Sequence, residues 1–211
     1  MKLFKNKFIR SGIAIAAFAF TASASAASFD FLTEASGNEH GGDPLVFMSD
    51  GVTLTASGYE FGVGTTYNAY LDQGAGLGVC KILDGGDQCA PASDDNVTLN
   101  EVLKIVLEGA NTLKDLVFLN GSHGAVDSGA EILVRIGGTG MFSPFTFGAL
   151  SMASLSGNIF EFMVDTDGND FYIRSISAVP VPAAVLLFGS ALLSMFGFSR
   201  RKSAKGNALA A

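Results

Sequence analysis

The chain has 211 residues, with twenty acidic and thirteen basic side chains and a formal net charge of −7. Four basic residues lie within positions 2–10 and four within positions 200–205, whereas every acidic residue lies between Asp30 and Asp170. The central part therefore holds five basic and twenty acidic residues, a net charge of −15. Such a surface repels nucleic acid and anionic lipid, so we expect neither as a partner of this part of the chain.

The first 26 residues have the three parts of a secretory signal peptide. A basic region covers 2–10, an apolar region covers 13–20, and Ala24-Ser25-Ala26 forms an A-x-A cleavage site. The apolar region is too short to cross a membrane as a mature helix. We therefore expect signal peptidase to cut after Ala26 or Ala27, and the mature chain to be exported.

Residues 27–177 are expected to form one mainly β ectodomain. Short runs in which apolar and polar residues alternate are separated by Gly, Ser, Asn and Asp, as is typical of antiparallel strands joined by turns. The segment NEVLKIVLE at 100–108 also suits a helix by composition, but its alternation favours a strand. The pattern predicts an antiparallel β-sandwich or jelly roll. The runs are 29–32, 52–56, 66–71, 102–107, 113–119, 131–136, 142–147, 159–164 and 171–177.

The two cysteines lie close together in the sequence. Cys80 and Cys89 flank eight residues with Gly85-Gly86 at their centre. An even pair across a glycine turn in an exported chain predicts a disulfide, and a redox or metal pair is the alternative. Four further aspartates surround this loop; a solvated acidic surface is the favoured interpretation and a cation site is the alternative. They are Asp84, Asp87, Asp94 and Asp95.

Oxygen-bearing side chains alternate in the segment VDTDGND. Asp165, Asp167, Asn169 and Asp170 suit a hard cation such as calcium, and we name them as a candidate calcium site. The segment is not an EF-hand loop, because its glycine is the fourth residue rather than the sixth and Ile176 stands in place of the final glutamate. A plain hairpin turn explains the same residues, since Asp-Gly is a common turn pair. No other cofactor is expected.

The sequence contains no catalytic constellation. His123 lies in NGSHG, but Asn120 stands where a nucleophile elbow needs its first glycine. His40 has no second histidine or thiolate at ligand spacing. The twenty acidic residues include no pair that is singled out by its spacing. We therefore expect a protein that is not an enzyme.

The C-terminal segment combines an apolar span with a basic stop. Residues 179–198 contain no charged side chain, and Arg200, Arg201 and Lys202 follow them closely. At about 1.5 Å per residue, about 20 residues span roughly the 30 Å hydrocarbon core of a bilayer. The basic cluster at 200–205 is expected on the cytoplasmic side. The segment predicts one transmembrane helix over about 182–198, with the ectodomain facing outward.

The order of motif, helix and basic cluster resembles a known sorting signal. Val179, Pro180, Val181, Pro182 and Ala183 spell VPVPA just before the helix, and LLFGSALL lies inside it. The segment 178–205 resembles the PEP-CTERM class of bacterial sorting signals, in particular its VPLPA-type subclass, which accepts an aliphatic residue at the third motif position. The resemblance covers about the last thirty residues. The GLGV element and the acidic loop after it also look like a stretch found in ectodomains of such tail-bearing proteins.

The resemblance implies a route of sorting. An exosortase-type transpeptidase is expected to recognise the tail of an inner-membrane-anchored precursor in a Gram-negative bacterium and to act near the proline motif. The mature protein is then expected at the cell surface or in the extracellular matrix, with a structural or adhesive role in exopolysaccharide or biofilm. One alternative is a carbohydrate-binding module with an exposed row of tyrosines. A less favoured alternative is a secreted hydrolase with two carboxylates converging in a cleft.

Overall fold

The computed structural model describes residues 25–181. Several predicted features lie outside these residues: Ala24 of the cleavage site, Pro182 and Ala183 of the motif, the transmembrane helix, and the basic residues Arg200, Arg201 and Lys202. Among the described residues, none of the helices has the length and apolar character needed to cross a membrane.

The described residues form eleven strands and two short helices. In chain order they are β1 (Ala27–Asp30), α1 (Phe31–Glu34), β2 (His40–Gly42), β3 (Leu45–Ser49), β4 (Val52–Glu60), β5 (Thr66–Asp72), β6 (Gly76–Cys80), β7 (Glu101–Asn120), β8 (Glu131–Ile136), β9 (Ser143–Thr146), α2 (Phe147–Ser151), β10 (Leu155–Met163) and β11 (Phe171–Pro180).

Five of the strands close into a barrel. β11, β6, β5, β4 and β7 are paired in that order, and β7 pairs again with β11. β10, β8 and β9 extend the sheet beyond β7, while β1, β2 and β3 pair with β11, β5 and β4. All of these ladders are antiparallel. The prediction of an antiparallel, mainly β ectodomain is confirmed, but one closed sheet takes the place of the separate sheets of a sandwich or jelly roll.

Closure depends on β7, which is 20 residues long. Its first half pairs with β4, and its second half pairs with β11. Between them Gly109 has φ +76°, a conformation that costs glycine little, and the chain can change direction there. The side-chain amide of the buried Asn111 donates to the carbonyl oxygens of Glu108 and Gly109, at 3.0 and 3.1 Å. The two runs predicted at 102–107 and 113–119 are therefore one bent strand.

Strand alternation builds the core. In β4, Val52, Leu54 and Ala56 are buried while the threonines between them are half-buried, as the period-two pattern predicts. Aromatic rings fill the space between β7, α2 and β11: Phe118, Phe147 and Phe171 form edge-to-face pairs with centroids 5.1 to 5.8 Å apart. Each buried side chain of this size contributes about 1.5 to 3 kcal/mol to folding.

Two predicted strands run into short helices. The carboxylate of Asp30 accepts hydrogen bonds from the backbone of Leu32 and Thr33, so residues 31–32 begin α1 instead of continuing β1. The hydroxyl of Thr146 accepts from the backbone of Ala149 and caps α2 in the same way, which ends the strand predicted at 142–147. Three strands were missed by the alternation pattern: β2, β3 and β6.

Candidate functional site

Polar side chains gather where the segment 94–97 crosses β6. A Cβ atom built on Gly78 of β6 would lie only 2.1 Å from the carbonyl oxygen of Asp95, so the two backbones touch there. Val97 then forms a bridge to Phe171, at the start of β11. Asp95 and Asn96 are consequently held between β6 and β11, although the sequence places them in a long connection.

Three carboxylates meet beside this crossing. One oxygen atom from each of Glu39, Asp72 and Asp95 lies within 4.8 Å of the others. Asp72 and Asp95 are buried, and Glu39 is half-buried. We call these residues the acidic triad. It is the group of possible metal ligands that the structure brings together within residues 25–181, and carboxylate oxygens are the ligands that hard cations prefer.

Each carboxylate of the triad has a hydrogen-bond donor. The Tyr70 hydroxyl donates to Oε1 of Glu39 at 2.7 Å, and the Tyr172 hydroxyl donates to Oδ1 of Asp95. Oδ1 of Asp72 accepts from the backbone of Gly74 at 2.6 Å. Each carboxylate therefore has one oxygen atom held by a donor, and the triad forms a hydrogen-bonded network with the two tyrosines and the backbone of Gly74.

Burial and a neighbouring charge oppose the ionisation of Asp95. Burial, followed by the negative charge of Asp72, raises the pKa of Asp95 above its usual value. Burial and the hydrogen bond to Asp95 raise the pKa of Tyr172, so this tyrosine stays a donor. These surroundings favour the protonated form of Asp95 more than water does.

His123 lies at the edge of the triad. Its Nε2 atom is 3.8 Å from Oδ1 of Asp72, and its ring packs edge-on against Tyr172 with centroids 5.5 Å apart. Ser122, its neighbour in sequence, instead lines a separate cavity. The histidine therefore contacts an acid and an aromatic ring, while its adjacent hydroxyl faces elsewhere. His40, the other histidine, lies in β2, where its Nδ1 atom is 2.7 Å from the carbonyl oxygen of Asn38.

The candidate calcium loop lies between β10 and β11. Asp165 and Asp167 are exposed, and the side chain of Asn169 donates to the carbonyl oxygen of Glu131 at 3.4 Å. Asp170 is half-buried and lines a cavity of about 260 Å³ together with Asn96, Asn120 and Ser122. The calcium site predicted from the alternation of these four residues stays a prediction.

The aspartates around the cysteine loop make different contacts. Asp84 accepts from the backbone of Gly86 and Gln88, which shapes the turn. Asp94 pairs with Lys81 at 2.8 Å, and the same ammonium group lies 2.7 Å from Glu101. Asp95 belongs to the buried triad, which no local pattern predicts. A solvated surface therefore does not describe the whole cluster.

The disulfide prediction is confirmed. Cys80 and Cys89 are bonded, with their Cα atoms 5.8 Å apart. Both sulfur-bearing residues are buried and pack with Tyr70 in a small cluster of their own. The disulfide therefore joins the end of β6 to the segment at Cys89, and both cysteines pack against the tyrosine that donates to Glu39.

A second polar cluster lies across β4, β8 and β10. Arg135 binds the carboxylate of the buried Glu161, and the Tyr59 hydroxyl contacts both, at 2.9 Å from Glu161 and 2.6 Å from Arg135. Burial, with help from Glu161, raises the pKa of Tyr59 to about 12. The guanidinium group also lies 4.5 Å from the ring centre of Phe142. This cluster locks three strands together.

An open apolar pocket of about 400 Å³ lies beside this cluster. Phe61 and Phe142 pack edge-to-face there with centroids 5.5 Å apart, and Asn100 and Asp165 supply polar atoms at its wall. The four tyrosines form no exposed row, because Tyr70 and Tyr172 are buried and the other two are half-buried. A flat aromatic surface for a sugar would therefore have to come from the phenylalanines.

Comparison with known proteins identifies no family for this chain. No family model matches the chain, and no curated protein or solved structure matches it significantly.

Proposed function

We propose that this chain is an exported cell-surface or extracellular-matrix protein that an exosortase-type transpeptidase sorts. The observation that carries the proposal is the tail: the VPVPA motif at 179–183, the uncharged span after it and the basic cluster at 200–205. In this proposal the precursor is anchored in the inner membrane of a Gram-negative bacterium, and the acidic barrel is delivered outside the cell for a structural or adhesive role in exopolysaccharide or biofilm.

The N-terminal end of the barrel supports this division of the chain, and the C-terminal end overlaps the proposed motif. β1 begins at Ala27, immediately after the A-x-A site, and Ala27 is buried and pairs with Ala178. Cleavage after Ala26 would leave this strand whole. At the other end, β11 finishes at Pro180, inside the motif. Val179 and Pro180 therefore belong both to the last strand of the barrel, where they pair with β7, and to the proposed motif.

The disulfide and the surface charge agree with an extracellular role. A Cys80–Cys89 bond persists in oxidising compartments such as the periplasm and the cell exterior. The net charge of −15 over residues 27–177 favours solubility and attracts cations from the surrounding matrix. Within this proposal the protein is not an enzyme, since the two converging carboxylates, Asp72 and Asp95, are buried and hydrogen-bonded.

One alternative function has a specific observation in its favour. The pocket beside Phe61 and Phe142 combines aromatic faces with the side chains of Asn100 and Asp165, which is the mixture that sugar sites use. A carbohydrate-binding module remains the second candidate on this ground. A Phe61→Ala variant would lose binding to exopolysaccharide if this alternative held, and unchanged binding would remove it.

Fractionation of cells tests the sorting proposal. The protein is expressed in a Gram-negative strain with a matching exosortase and in the same strain without it. We expect wild type to leave the membrane fraction only in the first strain, and Pro180→Ala/Pro182→Ala to remain there in both. Pro144→Ala, at an exposed proline of β9, is the control and should behave as wild type. Release of the double variant at the wild-type rate contradicts the proposal.

A further inference from the structure

A small polar cavity opens between three loops of the barrel. It has a volume of about 260 Å³ and lies between the segment before Val97, the turn after β7 and the loop before β11. The side chains at its wall come from Asn96, Asn120, Ser122 and Asp170. The cavity is large enough for an ion with several water molecules.

The side chains of Asn96 and Asp170 both lie close to the backbone of Gly121 at the wall of this cavity. A Cβ atom at this glycine would lie 2.7 Å from Nδ2 of Asn96 and 3.6 Å from Oδ2 of Asp170. The backbone of Gly121 also donates to the carbonyl oxygen of Asp170 at 3.2 Å, which fixes the loop in place. Asn96 and Asp170 are therefore brought together from positions 74 residues apart in the chain.

One oxygen atom of each side chain lacks a donor. Oδ1 of Asn96 and Oδ1 of Asp170 are buried, and no hydrogen-bond donor of the described residues reaches either. Asn96 is only 7% exposed. Buried acceptors without a partner are costly, so native proteins nearly always supply them with a donor or a cation. By contrast, Oδ1 of Asn120 accepts from the backbone of Ser122 and Gly124, and serves to shape the turn.

The charge around the cavity is negative. Burial, followed by the charge of Asp167, raises the pKa of Asp170 above its usual value. Within residues 25–181, no ion pair involves Asp167 or Asp170. A cation in the cavity would therefore satisfy both orphan oxygen atoms and neutralise the local charge in one step.

We propose that this cavity binds a calcium ion, with Oδ1 of Asn96 and the carboxylate of Asp170 as its buried ligands. Asp167 adds negative charge, and water with the Ser122 hydroxyl completes the shell. Calcium is preferred over magnesium because a mixed amide and carboxylate set on three separate loops suits its flexible geometry, whereas magnesium demands a near-ideal octahedron. The site differs from the loop predicted from sequence, because it needs Asn96 and does not need Asp165.

Calorimetric titration of the full chain with calcium chloride tests the proposal. The chain is purified in detergent from cells without an exosortase, so that the result does not depend on sorting. We expect calcium to bind and to raise the melting temperature relative to EDTA. Asp170→Asn should weaken binding by about tenfold or more, since ligand charge sets the affinity of such sites. Asp165→Asn, a matched change in the same loop, should leave the affinity unchanged.

A second variant keeps the test decisive if Asp170→Asn fails to fold. Asn96→Asp adds a charged ligand, so it should melt lower than wild type in EDTA and bind calcium more tightly than wild type. The proposal is overturned if calcium does not bind wild type or does not change its melting temperature. Either result is what a cavity that holds only water would give. Equal weakening by Asp165→Asn and Asp170→Asn also overturns it, because the ion would then lie in the loop. Neither result affects the proposed sorting.

Discussion

The hydroxyl of Tyr172 donates a hydrogen bond to Oδ1 of Asp95, a residue 77 positions earlier in the chain. Both residues are buried, and the bond ties the long connection between β6 and β7 to β11. Asp95 also lies beside Asp72 and Glu39 in the acidic triad. Folding therefore places an acid where desolvation and the negative charge of Asp72 oppose its ionisation.

Replacing Asp95 with asparagine tests the electrostatic cost of the triad. The folded-state pKa of Asp95 is raised above the unfolded value of 3.8, so its stabilising contribution is fully present below that value and is lost as pH rises through the folded pKa. The amide introduced by the substitution would still accept from Tyr172 but has no charge to bury. We expect Asp95→Asn to be more stable than wild type at about pH 7, with a flatter dependence of unfolding free energy on pH.

Urea denaturation over a range of pH measures this effect. Asp127→Asn is the control, because Asp127 is exposed and its carboxylate only accepts from the backbone of Gly129. The control should follow the wild-type curve. A lower stability of Asp95→Asn at neutral pH would contradict this account, since it would mean that the ionised carboxylate is needed.

Replacing Gly78 with alanine tests the crossing of the segment 94–97 over β6. The added Cβ would lie 2.1 Å from the carbonyl oxygen of Asp95 and 2.9 Å from Cα of Asn96, both backbone atoms that cannot rotate away. We expect the free energy of unfolding to fall by about 1 to 3 kcal/mol, as it does when a packed core is overfilled. Gly85→Ala, where no atom lies within 4 Å of the new Cβ, should change it little. Equal midpoints for the two variants in urea would exclude the close backbone contact.

Removing Arg135 tests the cluster across β4, β8 and β10. Arg135→Ala leaves the carboxylate of Glu161 buried without its cation, which typically costs about 3 to 5 kcal/mol. The double variant Arg135→Leu/Glu161→Leu should recover much of this loss, because no charge is then buried. Lys114→Ala breaks a 3.6 Å pair between exposed groups and should have almost no effect. A similar loss for Arg135→Ala and Lys114→Ala, measured in urea, would refute a buried ion pair.

The disulfide provides a prediction about redox conditions. The bond closes a short loop, since Cys80 and Cys89 are separated by 9 positions. In the chain-entropy account its removal lowers the unfolding free energy by about 2.5 to 3 kcal/mol. The double variant Cys80→Ala/Cys89→Ala should therefore unfold at lower denaturant, and a reductant should shift wild type but not the variant. Identical curves for wild type with and without reductant would show that the bond contributes no stability.

Sequence reasoning identified most of the strands but missed β2, β3 and β6. β4 alternates visibly, so its 52–56 run was found. β6 was missed because its sequence GLGVC is buried at all five positions and has no alternation to detect. β7 was predicted as two separate runs, at 102–107 and 113–119, whereas it is one continuous strand with Gly109 at φ +76° between them. The barrel closes because the first half of this strand pairs with β4 and the second half with β11, and alternation within short runs gives no sign of such pairing.

The polar sites could not have been found from spacing. Asp95 lies in a run of acidic residues that suggests a solvated loop, and only the approach of β6 and β11 buries it. The candidate calcium loop included Asp170 but omitted Asn96, which is 74 positions away and belongs to no local motif. Local alternation signals a turn or an ion loop, whereas a site assembled from three loops leaves no periodic trace in the sequence.

The central claim is that the two ends of this chain are targeting signals and that the barrel between them is the exported product. The intact mass of the protein recovered outside the membrane of an exosortase-positive cell tests it most directly. The account predicts a chain that lacks residues 1–26 and everything after the proline motif at 179–183. A membrane-bound chain that retains the apolar span and the basic cluster at 200–205 in the same cell would contradict the claim and leave an ordinary anchor.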